Sequence, residues 1–414
     1  MPHAPARQLQ TIRRAEFVAA FLLLLCAAAG AQQQANPRPT RKVQLLQLIA
    51  HIRSIDDSVA LRTEIKSLIA HARSSGGLLT EDSTALFLFQ GNARRVGVPG
   101  DLNDWNPAAD TMMRLKGTNL FYLLKTINPA SRIEYKLMVD STWMLDPLNP
   151  RQVIGGFGPN SELRMGAYRP PGDIEGVKGS RQGQLDTISF ASNILHSTHP
   201  LVVYLPHSYR EGTASYPLLI VTDGGEYLSL AKMRNILDNH IADGSIRPLI
   251  AAFIDPRTDP RDPRTSTRMT DYALSHLFVE SLIRELRPLL LKRYRILDTP
   301  SQTAIMGASM GGLIATYAAL THPEVFGLCA AQSPAYQWDK DAILEMVRTS
   351  PKRAFRMYLD TGTIGDAQVR TRLMRDIMKE KGYDIVYAEY PEAHNWANWR
   401  ARVGIILKAF WGRR

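Results

Sequence analysis

Cysteine is scarce in this chain: two in 414 residues, Cys26 and Cys329. That scarcity excludes the disulfide-stapled class of small domains, so the fold must rest on an ordinary hydrophobic core. Cys26 lies in an N-terminal apolar stretch read below as a leader, and its removal leaves Cys329 without a partner. Cys329 sits in the apolar run FGLCAAQSP and is expected to be a buried small hydrophobe rather than a nucleophile. A dense Lys/Arg block is also missing. The 50 basic and 39 acidic residues give a formal charge of +11, which could favour an anionic ligand or surface. Their scatter gives no nucleic-acid footprint. No His/Asp/Glu cluster has convincing metal-ligand spacing, so neither a metal nor another cofactor is expected. No repeat period is visible, and beyond the N-terminus no second membrane candidate occurs.

Near the start, Arg13 and Arg14 precede FVAAFLLLLCAAAG, and AGA then meets Gln32. A basic start, a short apolar core and small residues at a cleavage point predict a signal peptide over residues 1–31. The mature protein is then periplasmic or secreted. A retained anchor would need roughly 20 uninterrupted apolar residues, more than this stretch supplies. Leu25 before Cys26 does not suit lipid attachment. Residues 32–80 read as a linker and a helical segment. Apolar residues three and four apart (Leu45, Leu46, Ile49, Ile52, then Leu61, Ile65, Leu68, Ile69) predict two amphipathic helices broken near Asp56-Asp57-Ser58. These helices are expected to pack on the body or to offer a surface for self-association.

The hydrophobic period then changes. TALFLFQG, RRVGVPG, NLFYLLKTI and RIEYKLMVD are short strand candidates separated by Gly, Asn, Pro and Asp. They predict a small β domain over 81–165, with regular strands ending near Pro150. The Gly/Pro-rich run GGFGPNSELRMGAYRPPGD that follows is expected to be irregular, leading through a connector at 166–183. Over 184–414, HPLVVYLP, YPLLIVTD, RPLIAAFID, SQTAIMG, KRAFRMYLD and DIVYAEYP alternate with helical patterns. That alternation predicts an α/β domain whose mostly parallel sheet is covered on both faces. Functional loops then belong at the carboxyl ends of the strands.

One of those ends reads AIMGASMGG, with Ser309 between Gly307 and Gly311. Gly-x-Ser-x-Gly after a strand and before a helix is the pattern of a turn that exposes a nucleophilic hydroxyl. Its alternative is a purely structural turn. A serine needs a base, and after Ser309 only His322 and His394 remain. His322 lies where a helix meets Pro323, whereas His394 follows the last strand candidate and can return to the serine. Its alternative is a loop residue packed on Trp396 or Trp399. For the acid, RMYLDTGTIGD offers Asp360 at the strand end and Asp366 in the loop; the loop position favours Asp366, and Asp360 stays open. The oxyanion donors would be Met310 N–H, after the nucleophile, and Gly225 N–H in LLIVTDGGEY.

VTDGGEY, GASMGGLIATYAALTHPEVFGLCAAQSPAYQW and YPEAHNWANWR together resemble the esterase D and enterochelin esterase group of α/β-hydrolases over roughly residues 184–412. The resemblance implies an α/β-hydrolase fold with Ser309 as nucleophile, His394 as base and Gly225 in the oxyanion loop. Within these motifs Tyr227, Trp338 and Trp396 are expected to contact substrate. RRVGVPGDLNDWNP, TNLFYLLK, RIEYKLMVD and WMLDPLNP are similar to the early-set immunoglobulin-like domain preceding such esterases. This implies a β domain beside the active-site mouth, with Trp105 and Trp143 filling an interface or binding sugar. The group's substrates imply a small-molecule or carbohydrate ester, siderophore lactones included. The arginines of DPRTDPRDPRTSTR would face an anionic ligand or pair with their neighbouring aspartates. An acyltransferase and a non-catalytic binding protein on the same scaffold are the alternatives.

Overall fold

A computed structural model describes residues 41–176 and 181–413. The expected leader over residues 1–31 lies outside the described residues. The chain divides into two compact units at Ser54. In the first, the helix Arg41–Arg53 covers the first amphipathic stretch. The second unit, Ile55–Arg414, opens with the helix Ser58–Ser74. Asp57 caps it, accepting from Val59 N–H at 3.0 Å and Ala60 N–H at 2.6 Å, so the predicted break is a helix start. Ile65, Leu68, Ile69 and Ala72 form its buried stripe.

A region of small antiparallel sheets follows. Strands β1 (Leu79–Glu81), β2 (Thr84–Gln90), β5 (Leu120–Thr126) and β4 (Met113–Arg114) pair in that order. A second sheet joins β3 (Val96–Gly97), β7 (Leu137–Val139) and β8 (Thr142–Met144). A third joins β6 (Arg132–Tyr135), β10 (Gly158–Arg164) and β9 (Gln152–Gly155). Phe87, Phe121, Ile133, Tyr135 and Leu163 fill the core between them. RIEYKLMVD therefore splits into two strands at Lys136. The run expected to be irregular instead contains β10 and the turn that joins it to β9, with Gly156 and Phe157 at the hairpin tip. Hydropathy missed it because polar pairing draws β10 inward. Ser161 accepts from Asp146 N–H, and Glu162 accepts from the buried Arg132.

The large sheet holds β11 (Gln184–Ser192), β12 (Ser197–Leu205), β13 (Leu218–Val221), β14 (Ile250–Ile254), β15 (Thr303–Ala308), β16 (Leu328–Gln332), β17 (Arg356–Ile364) and β18 (Asp384–Ala393). Their spatial order is β11-β12-β14-β13-β15-β16-β17-β18, antiparallel at β11 and β12 and parallel from β14 to β18. Alternation along a strand divides the core between the two faces. On β13, Leu218 and Ile220 enter one apolar cluster, while Leu219 and Val221 enter the other. The run DYALSHLFVESLIRELRPLLLKRY is a broken rather than continuous helix. A π turn at Leu282–Leu286 precedes Pro288, which has no N–H to donate and crowds the preceding turn. Cys329 is buried on β16, and burial pushes its thiol up to about 12. No helix among the described residues is long and apolar enough to cross a membrane.

Candidate active site

The central strand β15 ends at Ser309, whose φ of 56° and ψ of −120° are strained for a residue with a side chain. Both neighbours of this turn must be glycine. A Cβ on Gly307 would lie 2.1 Å from Thr222 Oγ1 and 2.4 Å from the Gly311 backbone. One on Gly311 would lie 2.5 Å from the same hydroxyl. The turn is pinned from β16 and the loop beyond it: Ser309 N–H donates to Gln332 O at 2.9 Å, and Ala335 N–H donates to Ser309 O at 3.0 Å. The helix Met310–Thr321 starts at once. Met310 N–H therefore lies in a first helical turn, where donors lack carbonyl partners within the helix.

His394 follows β18. Its Nε2 lies 3.0 Å from Ser309 Oγ and its Nδ1 2.6 Å from Asp366 Oδ1. Because a carboxylate only accepts, Nδ1 carries the proton and Nε2 accepts from the serine hydroxyl. Asp366 reaches this place because β17 bulges between Gly362 and Ile364 as it pairs with the end of β18. The Asp366 side chain is fully buried. It also accepts from Ser333 Oγ at 2.6 Å, Gly362 N–H at 2.5 Å and Ala367 N–H at 2.7 Å. Burial opposes its ionisation, but the bonds from His394 and Ser333 outweigh that cost and hold the carboxyl below its ordinary range. The His394 ring stands edge-on to Trp399 at 5.0 Å.

Asp360 makes no bond to the imidazole. It is 1% exposed, and burial, opposed by Arg402, pushes its carboxyl up to about 7. His322 lies away from the serine, with Nδ1 2.9 Å from Glu324. Gly225 is the second residue of the short helix Gly224–Ser229, packed so closely that a Cβ there would lie 2.1 Å from Asp255 Oδ2.

Ser309 and His394 open into a cleft of about 900 Å³. Trp396 and Trp399 line it, as do Trp105, Trp143 and Phe157 of the β region, so β region and large sheet share its walls. Two expected contacts need correction. Tyr227 is completely buried below the cleft, its hydroxyl donating to Gln332 Oε1 at 2.8 Å and its ring edge-on to Trp396 at 5.1 Å. Trp338 begins a surface helix and is not among the lining residues, because the chain after β16 carries it outward.

The arginine-rich loop is built from three Asp-Pro-Arg steps. Asp255–Arg257, Asp259–Arg261 and Asp262–Arg264 each make a bidentate pair that also takes the arginine's N–H. Arg268 in turn holds Asp223 at 2.8 and 2.9 Å. The cleft guanidiniums are thus neutralised locally. Glu226, which sequence reasoning missed, lines the cleft with a carboxyl that has no side-chain hydrogen bond among the described residues. Burial and the charge of Asp223 push it up to about 7. Its only sequence signal is its place one residue beyond the Gly224-Gly225 turn. Groups of three or more His, Cys, Asp or Glu able to hold a metal are absent among the described residues.

A protein-family model described as "Putative esterase" matches residues 192–410. The chain is 23% identical over 197 residues to the uncharacterized protein YbbA of Bacillus subtilis (strain 168), covering 44% of this chain and 78% of that one. It is 30% identical over 125 residues to the iron(III) enterobactin esterase of Dickeya dadantii (strain 3937), covering 30% of this chain and 27% of the relative. The solved ferric enterobactin esterase of Salmonella typhimurium matches with a TM-score of 0.69 at 18% identity, over 83% of this chain and 98% of that one. At that identity the likeness speaks for the fold.

Proposed function

Because the chain belongs to the "Putative esterase" family, we propose that it is a serine carboxylic-ester hydrolase working through an acyl-enzyme. The observation that carries this reading is the continuous relay from Ser309 Oγ through His394 to Asp366, at 3.0 and 2.6 Å, opening into the cleft. Ser309 Oγ attacks the ester carbonyl while His394 Nε2 takes its proton. Asp366 fixes the tautomer and stabilises the imidazolium without becoming protonated. Met310 N–H and Gly225 N–H are the proposed donors to the oxyanion. As the tetrahedral adduct collapses, His394 protonates the departing alkoxide. It then deprotonates a water molecule, which releases the acid and regenerates the serine. So complete a relay argues against a scaffold kept only for binding.

Charge guides the choice of substrate. Arg257 and Arg268 are paired with Asp255 and Asp223, while the carboxyl groups of Glu226 and Asp104 face the cleft without side-chain hydrogen bonds among the described residues. Lys136 is the cleft cation without an ion pair among those residues. A polyanionic ligand would meet little uncommitted positive charge. Trp143 and Phe157, both exposed, offer apolar faces to an uncharged ring. This favours esters of neutral, hydroxyl-bearing compounds such as carbohydrates. Siderophore esters, the substrates named for the enterobactin esterases, are the second reading, supported by similarity. The small antiparallel sheets support an early-set immunoglobulin-like module as the cleft's outer wall. We place the protein in the periplasm or outside the cell, with its N-terminal helices available for self-association.

The test is an ester panel with intact protein and Ser309→Ala: p-nitrophenyl acetate, acetylated xylan, feruloyl esters and a catecholate trilactone. Serine-dependent hydrolysis of any member supports the reaction, and the ranking selects the substrate. Intact protein that neither hydrolyses an ester nor reacts with a phosphonate at Ser309 would sink the proposal.

A further inference from the structure

The β region does more than wall the cleft. His394 stands in a tight turn closed by Asn395 N–H donating to Ala393 O at 2.9 Å. Its own side chain is 37% exposed, so burial does little to hold it. The next residue, Asn395, caps the helix Trp396–Arg400, its Oδ1 accepting from Asn398 N–H at 3.1 Å. The same amide reaches into the β region at two points. Its Nδ2 donates to Asp101 Oδ2 at 2.9 Å, 294 residues earlier in the chain. Its Oδ1 accepts from Arg132 Nη1 at 3.3 Å, 263 residues earlier.

Neither anchor is loose. Arg132 is completely buried between Glu134 and Glu162, each at 2.7 Å. Asp101 is itself held by Glu134 N–H at 2.7 Å. The amide orientation is also determined, since its oxygen faces donors and its nitrogen faces a carboxylate; a flipped amide would oppose both. Buried ionic groups of this kind contribute little net stability but hold one geometry well.

We infer that Asn395, tied to Asp101 and Arg132, is a positioning residue that fixes the His394 backbone, making the β region a working part of the proposed hydrolase. The inference rests on the serine-hydrolase reading. A serine at 395 would keep the cap but is too short to reach Asp101 or Arg132. Asn395→Ser therefore separates positioning from helix capping, and Asn395→Ala removes both. An asparagine at 101 can still present an oxygen to both of its donors, making Asp101→Asn the conservative rescue and Asp101→Ala the break.

The probes are p-nitrophenyl acetate, too small to need the outer wall, and a small organophosphonate that labels Ser309. Displacing a reacting group by about 1 Å costs about 100-fold in rate. Asn395→Ser, Asn395→Ala and Asp101→Ala are accordingly expected to lose about 10- to 100-fold in both kcat and labelling rate, with KM changed by less than about twofold. Asp101→Asn should stay within about threefold of the intact protein. If the Asn395 variants do not fold, the two Asp101 variants give the same comparison. The inference is overturned if folded variants keep kcat and labelling, or if only the KM of large esters rises, which would make Asn395 a substrate contact. Absence of labelling in the intact protein would instead overturn the hydrolase reading.

Discussion

Asp366→Asn is the sharpest test of the relay, because every partner of that carboxylate is a donor. Oδ1 takes His394 Nδ1–H and Ala367 N–H; Oδ2 takes Ser333 O–H and Gly362 N–H. An asparagine must turn its NH2 towards one of these pairs. Facing His394, it makes Nδ1 an acceptor, so the ring proton moves to Nε2 and the serine loses its base. Facing Ser333, it preserves the tautomer, but only the hydroxyl can rotate to accept; Gly362 N–H remains against an amide hydrogen. The imidazolium loses its counter-charge in either case.

A triad lacking its carboxylate falls about 10⁴-fold in kcat, which corresponds to about 5.5 kcal/mol of transition-state stabilisation. A mixture of the two orientations should give about 10²- to 10⁴-fold, or about 3–5.5 kcal/mol. Asp360→Asn is the matched control. Its carboxyl is buried and pushed up to about 7, so below that pH an amide resembles the neutral acid that prevails there. Its kcat should change by less than about fivefold. The assay is steady-state hydrolysis of p-nitrophenyl acetate with melting curves beside it. A larger loss for Asp360→Asn than for Asp366→Asn, with both proteins folded, would refute the assignment of the acid.

Other groups in and below the cleft respond to pH and to substitution as well. The raised carboxyl of Asp360, 3.8 in its ordinary state and about 7 here, favours the folded state below pH 3.8 and withdraws that contribution as pH rises through about 7. Asp360→Asn should therefore reduce the fall in Tm between about pH 4 and 7, and an unchanged slope would count against a buried neutral acid. Glu226, pushed up to about 7, gains its charge as pH passes through that value. The kcat/KM of an anionic ester should then drop relative to a neutral one as pH rises, and Glu226→Gln should reduce the divergence, the remainder coming from Asp101, which also lines the cleft and is pushed up to about 7. Gly307→Ala puts a methyl 2.1 Å from Thr222 Oγ1. Overpacking there should cost about 1–3 kcal/mol, seen in the melting curve, together with slower phosphonate labelling. Phe157→Ala should raise KM for polymeric esters and leave p-nitrophenyl acetate unchanged.

How far the sequence foretold this molecule depends on the range of the force involved. Strands such as Leu218–Val221 and Ile250–Ile254 are contiguous apolar runs, and their burial follows from composition. The Ser309 turn is legible for a similar reason, since the two glycines and the strand–helix switch sit within five residues. By contrast, β10 is pulled inward by Arg132, 30 residues away, so its local pattern looks polar. Tyr227 lies in VTDGGEY, the motif whose resemblance implies a substrate contact. Its hydroxyl found Gln332, 105 residues on, and the ring went under the cleft. Glu226 carried almost no signal, because its perturbed carboxyl depends on Asp223 and on walls supplied from elsewhere.

The base illustrates the limit. Chain order alone selects His394 from the histidines, because it is the one that follows the last strand. Chain order says nothing of what steadies it. The partners of Asn395 lie at 101 and 132, in a region whose motifs suggest a separate accessory module. Yet its buried arginine is held by carboxylates from β6 and β10, the latter a strand that hydropathy overlooked. An ion cluster enclosed at that cost is difficult to explain by stability alone, since well-packed apolar groups of similar volume commonly do as well or better. Its directional bonds to a residue adjoining the base supply a reason for keeping it. Replacing Arg132, Glu134 and Glu162 together with apolar residues should therefore leave the melting temperature unchanged or higher while lowering kcat on p-nitrophenyl acetate. Undiminished kcat in that triple variant would show that the cluster serves packing and nothing more.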